Sequence, residues 1–89
     1  MSYHTYILRS LKDGRLYVGS TNNVARRLHR HNLGLVEATR HRRPLELACF
    51  ETVGTRAEAV RRERHLKSLE GSAEKERLVS QRPGPGPSA

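Results

Sequence analysis

The chain has 89 residues, with 17 Lys and Arg against nine Asp and Glu, and a formal charge of +8 with its histidines neutral. That length suits one domain whose single core is only just sufficient, and that charge suits a polyanion, nucleic acid ahead of an anionic membrane surface. A lone cysteine, Cys49, excludes a disulfide framework, no Cys/His spacing suggests zinc, and the sequence has neither a signal-peptide run nor about 18 consecutive apolar residues. The expected setting is the cytoplasm, free or nucleoid-associated, with no membrane partner.

Two short segments, His4 to Ser10 and Arg15 to Ser20, are rich in Tyr, Ile, Leu and Val and are joined by the turn-forming pair Asp13-Gly14. A four-residue loop, Leu11 to Gly14, makes cross-strand partners sum to an odd number. Tyr17 then opposes Leu8, and Tyr6 opposes Gly19. The two phenols become diagonal neighbours on one face, roughly 7–8 Å apart. They are either ordinary amphipathic strand residues or a functional pair.

Thr21-Asn22-Asn23 supplies capping side chains for a helix from about Val24 to Asn32, where Asn32 and Gly34 provide the stop. Val24, Leu28, His31 and Leu35 form a narrow stripe, Arg26, His29 and Arg30 point away, and Arg27 lies on the border. There its methylenes can cover the core while its guanidinium reaches a groove. His31, inside the stripe, is either a hydrogen-bonded core histidine or part of a site. The segment Gly34 to Arg43 lacks periodicity and ends in Arg40-His41-Arg42-Arg43 before Pro44, either a solvated loop or one that tracks a phosphate backbone. Leu45 to Val53 reads as a strand, apolar on both alternations, as for one covered on both sides or central in its sheet.

Thr55, with Glu58 as its capping-box partner, opens a helix running to about Leu69. With Ala59 at the origin, Leu66 falls at about −20° and Glu63 at about 40°, so a carboxylate sits in the middle of the apolar face. Such a group needs a cation, a donor or a metal: it either pairs with Lys67 one turn on or lines a cleft and binds a divalent ion. Gly71-Ser72 is expected to break the chain before a last helix, Ala73 to Gln81. The domain thus covers residues 1–80, and residues 81–89, Pro/Gly-rich, read as a disordered tail. The fold expected is α+β, a small three-stranded antiparallel sheet flanked by helices.

Tyr6-Ile7, the spaced Tyr17-Val18-Gly19, Ser20-Thr21-Asn22, Arg27-Leu28 and His31-Asn32 together resemble the GIY-YIG nuclease superfamily, most closely its small stand-alone branch, the URI-domain or UPF0213-like proteins. The resemblance runs from about Tyr3 to Val79. His4-Thr5 stands where the family has a glycine, and Ser20 replaces a lysine of the DNA-repair branch, which argues against the excision-repair nuclease subunit. In the family a glutamate on the helix after the third strand ligates the single catalytic metal, and Glu63 matches it. The two tyrosines hold the water and the phosphate between them, with the base assigned differently among members. His31 matches a frequent histidine.

The resemblance implies an endonuclease, in DNA repair or recombination, that hydrolyses DNA phosphodiesters by in-line attack without a covalent intermediate. Its catalytic residues would be Tyr6, Tyr17, Arg27, His31 and Glu63. One Mg²⁺ or Mn²⁺ on Glu63 would keep several waters and take a phosphate oxygen, and Arg27 could clamp the phosphate in a fork. Ser20, Arg26, Arg30, Arg40, Arg42 and Arg43 would hold nucleic acid, DNA rather than RNA. The competing reading is a non-catalytic nucleic-acid-binding module, using the same arginines with Arg61, Arg62 and Arg64. With four aromatic residues, Tyr3, Tyr6, Tyr17 and Phe50, two of them already assigned, base stacking on single strands is not expected to be its strength. A protein partner could supply target specificity.

Overall fold

The computed structural model describes residues 2–81; of the proposed tail, residues 81–89, Gln81 instead ends the last helix, and the rest lies outside the described residues. Three strands, β1 (Tyr3–Ser10), β2 (Leu16–Thr21) and β3 (Leu45–Val53), form one antiparallel sheet in the order β2-β1-β3. Three helices follow from the remaining sequence: α1 (Val24–Asn32), α2 (Arg56–Lys67) and α3 (Leu69–Gln81), with one 3₁₀ turn at Arg40–Arg42.

The hairpin has the register that its loop parity dictates: Tyr6 pairs with Gly19 and Leu8 with Tyr17. Gly14 adopts φ 75°, a left-handed conformation that glycine takes without steric cost. The buried Ser10 hydroxyl accepts from the Lys12 and Asp13 amides and donates to the Arg42 carbonyl, which ties the turn to the segment before β3. β1, not β3, is central, and its Thr5 to Leu8 run is buried on both faces. β3 is an edge strand. Its apolar run reflects packing on both faces and not a central place in the sheet: Leu45 and Leu47 pack toward α1, Ala48 and Cys49 pack toward α2 and α3, and Phe50 stays exposed.

The strand period of two divides the core into two layers. Tyr6, Leu8 and Leu45 pack with Tyr17, Leu47 and the Val24 and Leu28 side chains of α1. Ile7, Val18 and Cys49 pack on the opposite face with Leu66 of α2 and Leu78 and Val79 of α3. α1 has the expected bounds, with the Asn23 side chain capping its start by accepting from the Arg26 amide. Leu35, expected on its stripe, falls beyond the helix and is exposed. Asn32 bonds both backbone groups of Leu45 and so fixes where β3 begins.

Thr55 caps α2 by accepting from the Glu58 amide, and its hydroxyl also donates to the Glu58 carboxylate. The expected break at Gly71-Ser72 does not occur there. Ser68 is non-helical, its hydroxyl accepts from the Gly71 amide, and α3 begins at Leu69. Gly71 is needed inside α3 for close approach rather than for a turn: a Cβ there would overlap the His65 carbonyl at the end of α2. Arg62 donates to Glu51 of β3 at 2.7 Å and also pairs with Glu74 of α3, linking three elements.

Candidate active site

Edge strand β2 carries the site, because alternate residues on it face different layers. Tyr17 faces α1, and Ser20 faces α2. Opposite Gly19, the Tyr6 ring lies where a side chain would stand, since a Cβ on Gly19 would sit 2.5 Å from Tyr6 Cζ and closer still to its hydroxyl. The tyrosine rings are 6.5 Å apart between centroids and tilted by 43°, as their diagonal placement implies.

α1 closes over this pair. Arg27, half-buried on the helix border, donates from Nε to the Tyr6 hydroxyl at 3.3 Å. His31, with no exposed surface, stands 2.9 Å from the same hydroxyl through Nε2. Its ring meets those of Tyr17 at 5.2 Å and Tyr6 at 5.8 Å. On its far side, Nδ1 lies 2.7 Å from Thr39 Oγ1, a buried hydroxyl that also faces the Val36 carbonyl. When Thr39 donates to Val36, it accepts from Nδ1–H, and Nε2 keeps a lone pair for the Tyr6 proton. Thr39 was not legible in the sequence: it lies in a segment without periodicity, and no motif marks it.

Burial shifts both groups toward their neutral forms. It raises the Tyr6 phenol above its ordinary value, with Arg27 pulling the other way and Tyr17 and Glu63 adding to the rise. It lowers His31 to about 4, and the Arg27 charge adds to the fall. Tyr6 is therefore a phenol and His31 a neutral imidazole at pH 7.

Glu63 reaches the site from the α2 layer. Its Oε1 accepts from the Ser20 hydroxyl at 2.8 Å and its Oε2 from Lys67 Nζ at 2.7 Å, and it is 21% exposed. The i,i+4 pairing with Lys67 is thus present. Lys67 Nζ also lies 5.3 Å above the Tyr17 ring, so this one ammonium joins the α2 carboxylate to the α1-side aromatic cluster. Among the described residues no three His, Cys, Asp or Glu side chains come together as a metal cage.

The predicted nucleic-acid-binding residues divide into groups. Arg26 and Arg30 are exposed on the outer face of α1, as expected, and Arg40 is exposed at the 3₁₀ turn. Arg43 donates from Nε to the Arg40 carbonyl, and its guanidinium lies over Gly34. Arg42 is turned inward: Nη2 donates to the Leu16 carbonyl at 3.4 Å, and Nε is 3.7 Å from Asp13. Ser20 faces Glu63, not bulk solvent.

A hairpin with a tyrosine on each strand, a helix bringing arginine and histidine to one face and a second helix bringing glutamate to the other define a nuclease-like scaffold of the GIY-YIG type. Comparison with known proteins agrees. The family described as the GIY-YIG catalytic domain matches residues 2–77. A UPF0213 protein of Natronomonas pharaonis is 41% identical over 83 residues, covering 92% of this chain and 95% of the relative, and one of Bacillus licheniformis is 39% identical over 82 residues, covering 91% and 82%. The solution NMR structure of a UPF0213 protein from Bacillus halodurans is 38% identical, with a TM-score of 0.56 over 96% of this chain and 89% of that one. The chain belongs to the GIY-YIG family, in its UPF0213 group. Among the described residues no helix is long and apolar enough to cross a membrane.

Proposed function

We propose that the protein is a metal-dependent endonuclease that hydrolyses DNA phosphodiester bonds with one divalent ion held by Glu63. The observation that carries this reading is the meeting, around strand β2, of Tyr6, Tyr17, Arg27 and His31 from one layer with Glu63 from the other. A polycation of +8 charge supplies the attraction for DNA, with Arg26, Arg30 and Arg40 exposed at the surface to meet phosphates.

The donor set fits Mg²⁺ or Mn²⁺. A hard ion of this kind is held by one or two carboxylates, with waters and substrate phosphate completing its shell, and Glu63 is a partly exposed carboxylate. When bound, the ion supplies charge neutralisation at the phosphate and activation of water. Lys67 neutralises the same carboxylate in this structure, so the ammonium must yield that oxygen.

The remaining roles follow from the side chains. Arg27 is always protonated, spends only Nε on Tyr6, and keeps its terminal nitrogens to fork onto a phosphate as negative charge grows. Tyr6 donates its proton in a hydrogen bond to the His31 Nε2 lone pair 2.9 Å away and, held as a neutral phenol, keeps its oxygen lone pairs for Arg27 and for a bound water. Thr39 holds the ring in the tautomer that keeps this lone pair available. Tyr17 forms the solvent-side wall over which Lys67 lies.

The second reading is a nucleic-acid-binding module without catalysis, favoured by the engagement of both Glu63 oxygens by Ser20 and Lys67. Cleavage of supercoiled plasmid and branched DNA, in Mg²⁺ or EDTA, separates the two. Wild type should nick in Mg²⁺ alone, and Glu63→Ala and Arg27→Ala should abolish nicking while Glu63→Ala still binds. Binding without cleavage by the wild type, or cleavage unchanged in both variants, would leave the binding module.

A further inference from the structure

One turn before Glu63 on α2, a cavity of about 260 Å³ opens between the start of β1, the end of β2 and the first turn of α2, lined by Tyr3, Ser20, Thr21, Asn22, Arg56 and Ala59. Its frame is fixed: the Thr5 hydroxyl donates to the Ala59 carbonyl at 2.9 Å and pins α2 to the sheet, while Thr21 bonds the Asn23 amide at 3.1 Å and shapes the loop. Its functional groups are unspent. The side chains of Tyr3, Asn22 and Arg56 make no hydrogen bond or ion pair with any described residue. An aromatic face, an amide and a guanidinium therefore meet in one polar cleft, open to solvent and uncommitted to any other described side chain.

We propose that this cavity is a subsite for a single unpaired nucleotide next to the scissile phosphate, and so selects single-stranded, flapped or branched DNA over continuous duplex. This inference rests on the nuclease reading. Three features identify the ligand. The volume is just under the roughly 300–1,000 Å³ of pockets for drug-sized ligands, so it takes one small unit and excludes a stacked base pair. Ser20 belongs to both places, lining the cavity and bonding Glu63. The offset along α2 from Ala59 to Glu63 is about one turn, roughly 5.4 Å, against a rise of about 3.4 Å per nucleotide of one strand, which places the cavity one or two nucleotides from the bond at Glu63.

The chemistry then divides among the unspent groups. The Tyr3 ring offers a face for one base, and stacking of this kind tolerates any base. Arg56 takes the attached phosphate, and Asn22 meets a base edge, which a base still paired in a helix would present elsewhere. One aromatic platform serves one nucleotide, consistent with a chain too poor in aromatic residues to bind a long single strand by stacking.

The test uses the full chain, ¹⁵N-labelled, in EDTA so that no cleavage intervenes. It is titrated with a short oligothymidylate and with a hairpin duplex of matched length, followed by amide shifts and affinity. The oligothymidylate should move the Thr21, Asn22 and Ala59 amides, and the duplex should not. Tyr3→Leu and Arg56→Ala should each weaken oligothymidylate binding by about five-fold or more, in line with the worth of one stacked base, with Tyr3→Phe retaining it. Shifts confined to the outer face of α1 and the Arg40 turn, or equal affinity of Tyr3→Leu and Tyr3→Phe, would overturn the subsite. A parallel cleavage assay keeps the two claims apart. Metal-dependent cutting lost in Glu63→Ala beside an unresponsive cavity removes the subsite alone. A wild type that cuts none of these DNAs removes the nuclease reading and, with it, the assignment of the cavity to a scissile bond.

Discussion

The Tyr6 hydroxyl lies 2.9 Å from His31 Nε2, and both rings are buried. Burial holds His31 near a pKa of about 4, against about 6.5 for the exposed imidazole of the unfolded chain. Above pH ~6.5 the group is neutral in both states. Below it the unfolded chain takes up a proton that the folded chain refuses, so stability falls as pH drops toward 4 and levels off beneath it. At about 1.4 kcal/mol per unit the loss reaches about 3 kcal/mol. Urea unfolding between about pH 7.5 and 4 should show this decline, and His31→Gln should flatten it. An unchanged slope in that variant would assign the pH dependence to other groups.

Gly19→Ala tests the close approach on which the tyrosine pair depends. The new Cβ would stand 2.5 Å from Tyr6 Cζ, and the ring, held by Arg27 and His31, can move only by breaking those bonds. A cost of about 1–3 kcal/mol is expected, as for overpacking in general, together with loss of nicking under conditions where the protein is still folded. Full nicking by this variant would show that the observed Tyr6 position is not required.

Lys67→Met frees a carboxylate oxygen that an ammonium now occupies. An i,i+4 pair with a partly exposed lysine contributes only a few tenths of a kcal/mol, so the melting temperature should barely change. Mg²⁺ should bind more tightly in the absence of DNA, read from the shift of the Glu63 amide on titration. Affinity that is equal or weaker would mean that Lys67 does not compete with the ion.

Gly71→Ala should destabilise by about 2 kcal/mol or more without touching the site, because its Cβ meets backbone, the His65 carbonyl, and not a flexible side-chain end. Chemical denaturation measures this. A variant as stable as wild type would show that α2 and α3 can separate at Ser68 at little cost.

The placement of the candidate site's residues on their elements is local in origin, while their roles rest on the family resemblance. Loop parity alone pairs Tyr6 with Gly19, and the helical period alone places Arg27 on a border and Glu63 on the apolar face of α2. What the sequence withheld depends on contacts distant along the chain. Thr39 becomes part of the site because the segment after α1 folds back under His31. Arg42, in a run of basic residues, turns inward because the Leu16 carbonyl and Asp13 are within reach. Gly71 looks like a helix breaker, since composition cannot distinguish a glycine that ends a helix from one that lets two helices touch. The apolar character of β3 likewise does not reveal that it is an edge.

Because Tyr17 and Ser20 are three residues apart on one strand, they face opposite layers, and their division between the two halves of the site depends on parity. A single residue inserted between them in β2 would carry one of them to the wrong face and separate aromatic cluster from carboxylate, even if every side chain named here were kept. The hairpin loop is constrained less, since additions of two residues between Ser10 and Arg15 keep its parity and leave the pairing of Tyr6 with Gly19 intact. Length variation in proteins built on this plan should therefore collect at Leu11 to Gly14 and be absent from the stretch between Tyr17 and Ser20, a pattern imposed by the pleat of one strand.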